Sequence, residues 1–341
     1  MASLERGLGG GAAGAHSVRA RAAALAHGLG RLERALPAAS GAMVMGTGIV
    51  SIALFLDKRE ALSLALLAID CLAWALLAAV LGGRLLWRFD RVRSEARSPT
   101  ALTGVAGTAV LGTRLALAGL GGAGYAALAI ALVLWLALLP VVVAHLQLPS
   151  TGITLLLTVS TQSLAVLAAA LADLQHVSWL LYASLPFFLL GLAFYLFVIA
   201  RFDLRQLLIG SGDHWITGGA LAISTLAAGR IALAIKSLHV LGGLQGAAQA
   251  ISLALWAVTM LWLPALLITE ALSVRPRYSV RRWSTLFPVG MYAACSFIAG
   301  AAAGVAALGD FARVWVWAGV ALWALLAVGM LRRGAQIARS A

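Results

Sequence analysis

Charge is what this 341-residue chain has least of: 11% of its residues are Asp, Glu, Lys or Arg, against 62% that are hydrophobic. Soluble domains carry about a quarter charged residues, and the mean hydropathy of +0.97 lies far outside their range. The composition is that of an integral membrane protein. Cysteine is nearly absent as well. Cys71 and Cys295 both fall in apolar segments, with no C-x-x-C or Cys/His spacing around them; this argues against a disulfide framework or a metal site, and no cofactor is expected. Catalytic signatures are missing too: there is no Walker loop, no H-E-x-x-H and no G-x-S-x-G, and the six histidines are scattered singly. GLGGAG at 119–124 formally matches G-x-G-x-x-G, but it joins two apolar segments with no strand before it, so dinucleotide binding is not expected. Asp203 and Asp213 share a cytoplasmic loop, which is too little for a magnesium-binding carboxylate cluster. An enzyme is not the expected reading.

What the chain has in abundance is apolar length. Taking about 20 residues to cross about 30 Å of hydrocarbon, ten segments qualify: 38–56, 62–82, 101–119, 122–144, 152–171, 178–200, 214–234, 248–268, 284–304 and 311–331. Backbone polar groups in lipid must be bonded within their own segment, so each is expected to be a helix. The expected organisation is a ten-helix domain over 37–333, preceded by an N-terminal arm (1–36, with an interfacial helix from about Ser17 to Leu36) and followed by a short tail (334–341).

Lys and Arg in the connections set the orientation. The N-terminus and alternate connections hold nineteen of them and the opposite side four: Lys58, Arg59, Lys236 and Arg313. Both termini are therefore expected on the cytoplasmic side of the plasma (inner) membrane. The net charge of +13 is mostly this topology signal, facing anionic membrane lipid. It gives no support to nucleic-acid binding.

A second pattern divides the segments in two. Ser, Thr, Asn and Gln number 18 in the odd-numbered segments and 6 in the even; glycine runs 14 against 6, and tryptophan runs the other way, 1 against 8. Bulky apolar residues suit lipid, whereas small and hydroxylated ones suit close helix contact or a wet cavity. Odd helices are thus expected inside and even helices outside, as five repeated hairpins around a central path. Within the odd segments polar groups recur at helical spacing. Thr47 and Ser51 flank Gly48 and follow Gly46; Thr108, the pair Thr158 and Gln162, and the pair Thr217 and Ser224 continue the theme. These residues are expected to line the path, and tight packing is the competing explanation for each.

Ionisable residues within the spans are few. Asp70 lies midway along an outer segment, as a buried hydrogen-bonding group or a proton site. Arg114 and Arg230 lie toward the outer ends of the third and seventh segments, either snorkelling to the headgroups or forming a funnel for anions.

At VMGTGIVSIAL (44–54), VAGTAVLGT (105–113), TQSLAVL (161–167), HWITGGALAIS (214–224) and the W-x-x-x-F-P-x-G-x-Y pattern from Trp283 to Tyr292, the chain resembles the tellurite-resistance/dicarboxylate transporter family. That family includes fungal malate permeases and sulfite pumps, the bacterial tellurite-resistance membrane protein and plant slow anion channels. The resemblance implies an all-α fold of ten transmembrane helices, five inner ones around a central pore and five outer ones. It also implies assembly as a homotrimer and closure of the pore by an aromatic ring on the ninth helix. Phe287, by its position in the F-P motif, is the gate so implied, and Pro288 beside it would bend the helix. No residue defines the substrate, so sulfite, malate, nitrate, chloride and tellurite all stay open. The expected function is an anion channel or permease for small inorganic or organic anions. The alternatives are a proton-coupled C4-dicarboxylate or sulfite exporter and a non-transporting scaffold or sensor.

Overall fold

A computed structural model describes residues 41–209, 212–272 and 279–339. The expected N-terminal arm, the first residues of the first segment, Arg275 and Arg277, and the last two residues lie outside the described residues. Ten long helices run through the described residues: α1 (Gly41–Leu56), α2 (Glu60–Trp87), α3 (Thr103–Leu117), α4 (Gly121–Ala144), α5 (Leu156–Gln175), α6 (Ser178–Ile199), α7 (Ile216–Leu238), α8 (Gln245–Leu272), α9 (Trp283–Ala303) and α10 (Ala306–Arg339). They fall on the ten apolar segments. The outer helices overrun the expected limits, α2 to Trp87 and α10 through most of the expected tail. Four of the inner helices, α3, α5, α7 and α9, begin with a turn of 3₁₀ helix, at Pro99–Leu102, Gly152–Leu155, Asp213–Trp215 and Val280–Arg282.

The odd helices close a ring in chain order. α1 packs on α3, α3 on α5, α5 on α7, α7 on α9, and α9 back on α1. Each even helix lies outside, on its own hairpin partner and in the groove beside the next odd helix. In the most apolar stretches of α3, α5, α7 and α9, 72–100% of residues are buried, against 17–28% in the five outer helices. Hydrophobicity alone does not make this division, because both sets are apolar. Small residues do, since they let backbones approach, while the outer helices spend their bulk on lipid. All five inner helices run in parallel, their first residues on the face that carries Arg84, Arg88, Arg91, Arg201, Arg281 and Arg282.

The two layers are pinned by a repeated hydrogen bond. Indole N–H groups of outer helices donate to hydroxyls of the next inner helix: Trp74 to Thr108 (2.9 Å), Trp135 to Thr161 (3.0 Å), Trp256 to Ser296 (2.8 Å) and Trp323 to Thr47 (3.1 Å). Four residues before each tryptophan stands Asp70, Ala131, Ser252 or Gly319, one helical turn back on the same face. Asp70 and Ser252 abut a glycine of their own hairpin partner, Gly48 and Gly229, and Gly319 approaches Gly290 of α9 and Val50 of α1. In α6 the pair is Gly191 and Tyr195. Gly191 abuts Gln162 of α5, but Tyr195 accepts a bond from Trp262 of α8 at 3.1 Å rather than reaching an inner hydroxyl. The hairpin repeat is therefore legible in bonds, with one seam built differently.

Candidate functional site

The contacts of successive residues fix which face of each inner helix looks at the ring axis, because neighbours in an α-helix are turned by about 100°. In α1, Gly46 abuts Leu286 of α9, Gly48 abuts Asp70 of α2 and Val110 of α3, and Thr47 between them takes the bond from Trp323 of α10. Those three directions use up the sides and the back. The remaining face, toward the axis, carries Met45, Ile49 and Ile52, all buried. In α9, Leu286 lies on α1, Pro288 lies against Gly219 of α7, and the Val289 carbonyl accepts from Trp315 of α10 at 3.0 Å. Phe287 is left facing the axis, followed at helical spacing by Met291, Ala294 and Ile298. Phe287 is 1% exposed and Met291 is sealed completely.

The same reasoning places the other expected residues. Thr108 is held by Trp74 and bonds back to the Gly104 carbonyl at 2.7 Å. Ser51 and Ser63 of α2 exchange bonds, each hydroxyl donating to the other's carbonyl at 2.7 Å. Gln162 donates to the Phe188 carbonyl of α6 at 3.0 Å. Thr217 and Ser224 bond to carbonyls of their own chain segment, His214 and Ala220. Thr158 is buried, and its hydroxyl has no hydrogen-bond partner among the described residues. The structure does not gather these side chains at the axis: Thr47, Ser51, Thr108 and Gln162 point into the seams between layers, where their hydroxyls and amide serve helix contact. The reason is energetic. An unpaired hydroxyl facing an apolar axis loses its partners, whereas at a seam it finds an indole, a carbonyl or another hydroxyl. Gly112 abuts Ala127 of α4 and Leu167 of α5, and Gln162 abuts Gly191 of α6, so the next residue on each helix, Thr113 and Ser163, turns about 100° toward the axis; each hydroxyl bonds to the carbonyl four residues back, at 2.8 and 2.7 Å. Both sit inside segments that the sequence marks as polar, but period alone cannot tell the inner face of a stripe from its outer face.

Arg114, Asp70 and Arg230 are sealed among the spans. Arg114 is fully buried; its Nε donates to the Ser63 hydroxyl at 2.9 Å, its Nη2 reaches Glu60 at 3.2 Å, and its guanidinium lies 4.5 Å from the Phe55 ring centroid. It clamps α1, α2 and α3 together near their outer ends. Asp70 is fully buried, and neither oxygen has a hydrogen-bond partner among the described residues. Arg230, on α7, is 4% exposed and its Nε and Nη2 are likewise without a partner. The two arginines expected to form a funnel thus differ: Arg114 is bonded to its neighbours, and Arg230 has no hydrogen-bond partner at Nε or Nη2 among the described residues. At the opposite end, Asp213 pairs with Arg281, and Glu270 binds Arg282 at 2.9 Å and the Trp215 indole at 3.3 Å, tying α7, α8 and α9 together. Among the described residues no group of His, Cys, Asp and Glu could hold a metal ion.

A ring of five parallel helices inside five lipid-facing ones, its axis lined by side chains, defines a multi-pass membrane protein. The voltage-dependent anion channel family (SLAC1) matches residues 35–331, nearly the whole chain, and the protein belongs to that family. A search of curated proteins finds no match. Membership makes the protein an anion channel or permease in general terms and agrees with the resemblance read from the inner segments.

Proposed function

We propose that the protein carries small anions passively along the axis of the inner ring, with Phe287 as the gate. The observation that carries this reading is the direction of Phe287: its two neighbours are pinned to α1 and α7, so its ring is aimed at the axis with Met291 beneath it. Met45, Ile49 and Ile52 surround the same line. An apolar constriction of this kind excludes water and with it a hydrated ion, so the closed state needs no charge. Thr113 and Ser163 are the polar groups of the path, and weak dipoles of this sort replace part of an anion's hydration while letting it leave. Thr47, Ser51, Thr108 and Gln162 then act by holding the ring to the outer helices rather than by touching the ion. Gly46 and Gly48 allow α1 to approach its neighbours.

In this reading three copies assemble as a homotrimer with one path each, in the plasma membrane, with both termini cytoplasmic. The lysine and arginine bias supports that orientation. The domain limits are 37–333 for the path-forming unit, with the arm and tail outside it. The test is planar-bilayer recording of purified protein in an anion series. Phe287→Ala is expected to raise anion current at least severalfold, and an unchanged current at equal reconstitution overturns the gate.

A second reading, proton-coupled export of a dicarboxylate or sulfite, is favoured by Asp70, because an unpartnered carboxyl sealed between helices is a group that can carry a proton. Uptake driven by an imposed pH gradient, compared between the wild type and Asp70→Asn, separates the two.

A further inference from the structure

Arg230 stands eight residues before the outer end of α7 at Leu238, about 12 Å below it at 1.5 Å per residue. An arginine at that depth has two ordinary fates, and it meets neither. It has not snorkelled, since it is 4% exposed, and it has no hydrogen-bond partner at Nε or Nη2. The opposite charge that acts on it is Asp173, in the last turn of α5, which forms no ion pair with it among the described residues. Arg114, at the corresponding end of α3, has Glu60, Ser63 and Phe55.

The direction of Arg230 follows from its own helix. Gly218, Thr225 and Gly229 form one stripe against the outer side, touching Leu266, Thr259 and Ser252 of α8, with Tyr292 and Ile298 of α9 alongside. One position on, Gly219, Ile223, Leu226 and Arg230 form the next stripe; it starts against Pro288 of α9 and turns toward the axis. Arg230 therefore extends into the path on the outer side of the Phe287 level. Guanidinium does not lose its proton in proteins. Asp173 acts at a distance and leaves Nε and Nη2 without a bonded oxygen among the described residues; a buried cation short of hydrogen-bond partners is costly, and an anion in the path supplies them.

Building on the transport reading above, we infer that Arg230 is an oxyanion-binding station on the axis. Nε and Nη2 share one edge of the guanidinium, the edge that receives two oxygens of a single anion side by side. The ligand class is thus a small oxyanion with two oxygens in one plane, such as nitrate, a carboxylate or hydrogen sulfite, in preference to a halide. Arginine can make this distinction and lysine, a point charge, cannot.

The test uses the full-length protein, with nitrate and chloride as probes. In detergent, nitrate is expected to raise the melting temperature of the wild type at lower concentration than chloride does. In proteoliposomes, Arg230→Gln is expected to raise the half-saturating nitrate concentration at least tenfold. Arg230→Lys should keep anion flux but bring the nitrate and chloride half-saturating values to within about twofold of each other. If the wild type is not stabilised by nitrate up to molar concentration, or if Arg230→Gln saturates within twofold of the wild type, the station does not exist. Wild-type stabilisation by nitrate that Arg230→Lys weakens, with no flux of any anion, upholds the station and overturns the transport reading. Normal flux with unchanged saturation does the reverse. Should Arg230→Gln fail to fold, the wild-type melting titration and Arg230→Lys decide.

Discussion

Gly48 offers the sharpest test of how the inner and outer layers are locked. A Cβ built there meets the Asp70 Oδ2 at 2.7 Å and the Val110 Cγ1 at 2.8 Å, both well inside ordinary contact distance. Neither neighbour has room to yield: Asp70 is fully buried, and the opposite face of α1 is already seated on Leu286 through Gly46. Overpacking of this kind costs about 1–3 kcal/mol. Against that, alanine gains about 1 kcal/mol over glycine in helix propensity, so Gly48→Ala alone can come out nearly neutral. A double-mutant cycle with Asp70→Ala removes the ambiguity, because the propensity gain enters both arms and cancels, leaving only the contact. Truncating Asp70 relieves the oxygen clash but not the one with Val110, so about half of the cost is recoverable. The coupling between the two sites is expected at about 0.5–1.5 kcal/mol in the relieving direction, within the range for touching residues. Equilibrium unfolding in mixed micelles measures it. A coupling near zero means that Asp70 does not lie on Gly48, and the proton-site reading built on that sealed carboxyl goes with it.

Other outcomes follow from the same contacts. Removing the indole donors one at a time, as Trp74→Phe, Trp135→Phe, Trp256→Phe or Trp323→Phe, is expected to cost about 0.6 kcal/mol each, the usual worth of an interhelical bond in a membrane. Because the four bonds lie at separate seams, the losses should add; a fourfold variant as stable as the wild type in the same unfolding assay would show that the indoles do not hold the layers. Arg114→Met is expected to cost no more than about 1 kcal/mol, since it removes a buried cation, leaves Glu60 half exposed to solvent and leaves Ser63 its bonds with Ser51, and to leave anion preference unchanged, as read by reversal potential. Cysteine labelling distinguishes the axis from the seams: with Phe287→Ala in place, Ile49→Cys should react with a water-soluble thiol reagent and Thr47→Cys should not. Equal labelling of the two would refute the assignment of faces in α1.

The ten spans, their alternation and the ring they form were readable because lipid imposes a coarse rule: length and the share of small or hydroxylated residues suffice to separate inner from outer helices. The site was less readable, and Thr47 shows why. Its spacing with Ser51 correctly marks a single polar stripe on α1, but a stripe has no sign, and the partner that decides its direction is Trp323, 276 residues away. Tryptophan misleads in the same way. In sequence the eight indoles of the outer set read as lipid-facing bulk, and four of them instead turn inward to hydroxyls of the inner helices, two of which, Thr47 and Thr108, look like pore lining. The polar residues most visible in the sequence are thus largely consumed by assembly, and the axis is left to residues that a pattern search passes over: Ile49, Met291 and Phe287. Arg230 escapes this rule because its charge is visible anywhere. The sequence cannot distinguish it from Arg114, however, since the difference lies in what surrounds them, Glu60 and Ser63 in one case and no donor-matched partner in the other. In the proposed reading, a mostly apolar path with the hydroxyls of Thr113 and Ser163 and the Arg230 guanidinium along it is also what a closed anion conduit requires: water is excluded until the aromatic moves, and the charge that an entering anion would meet is already in place beyond it.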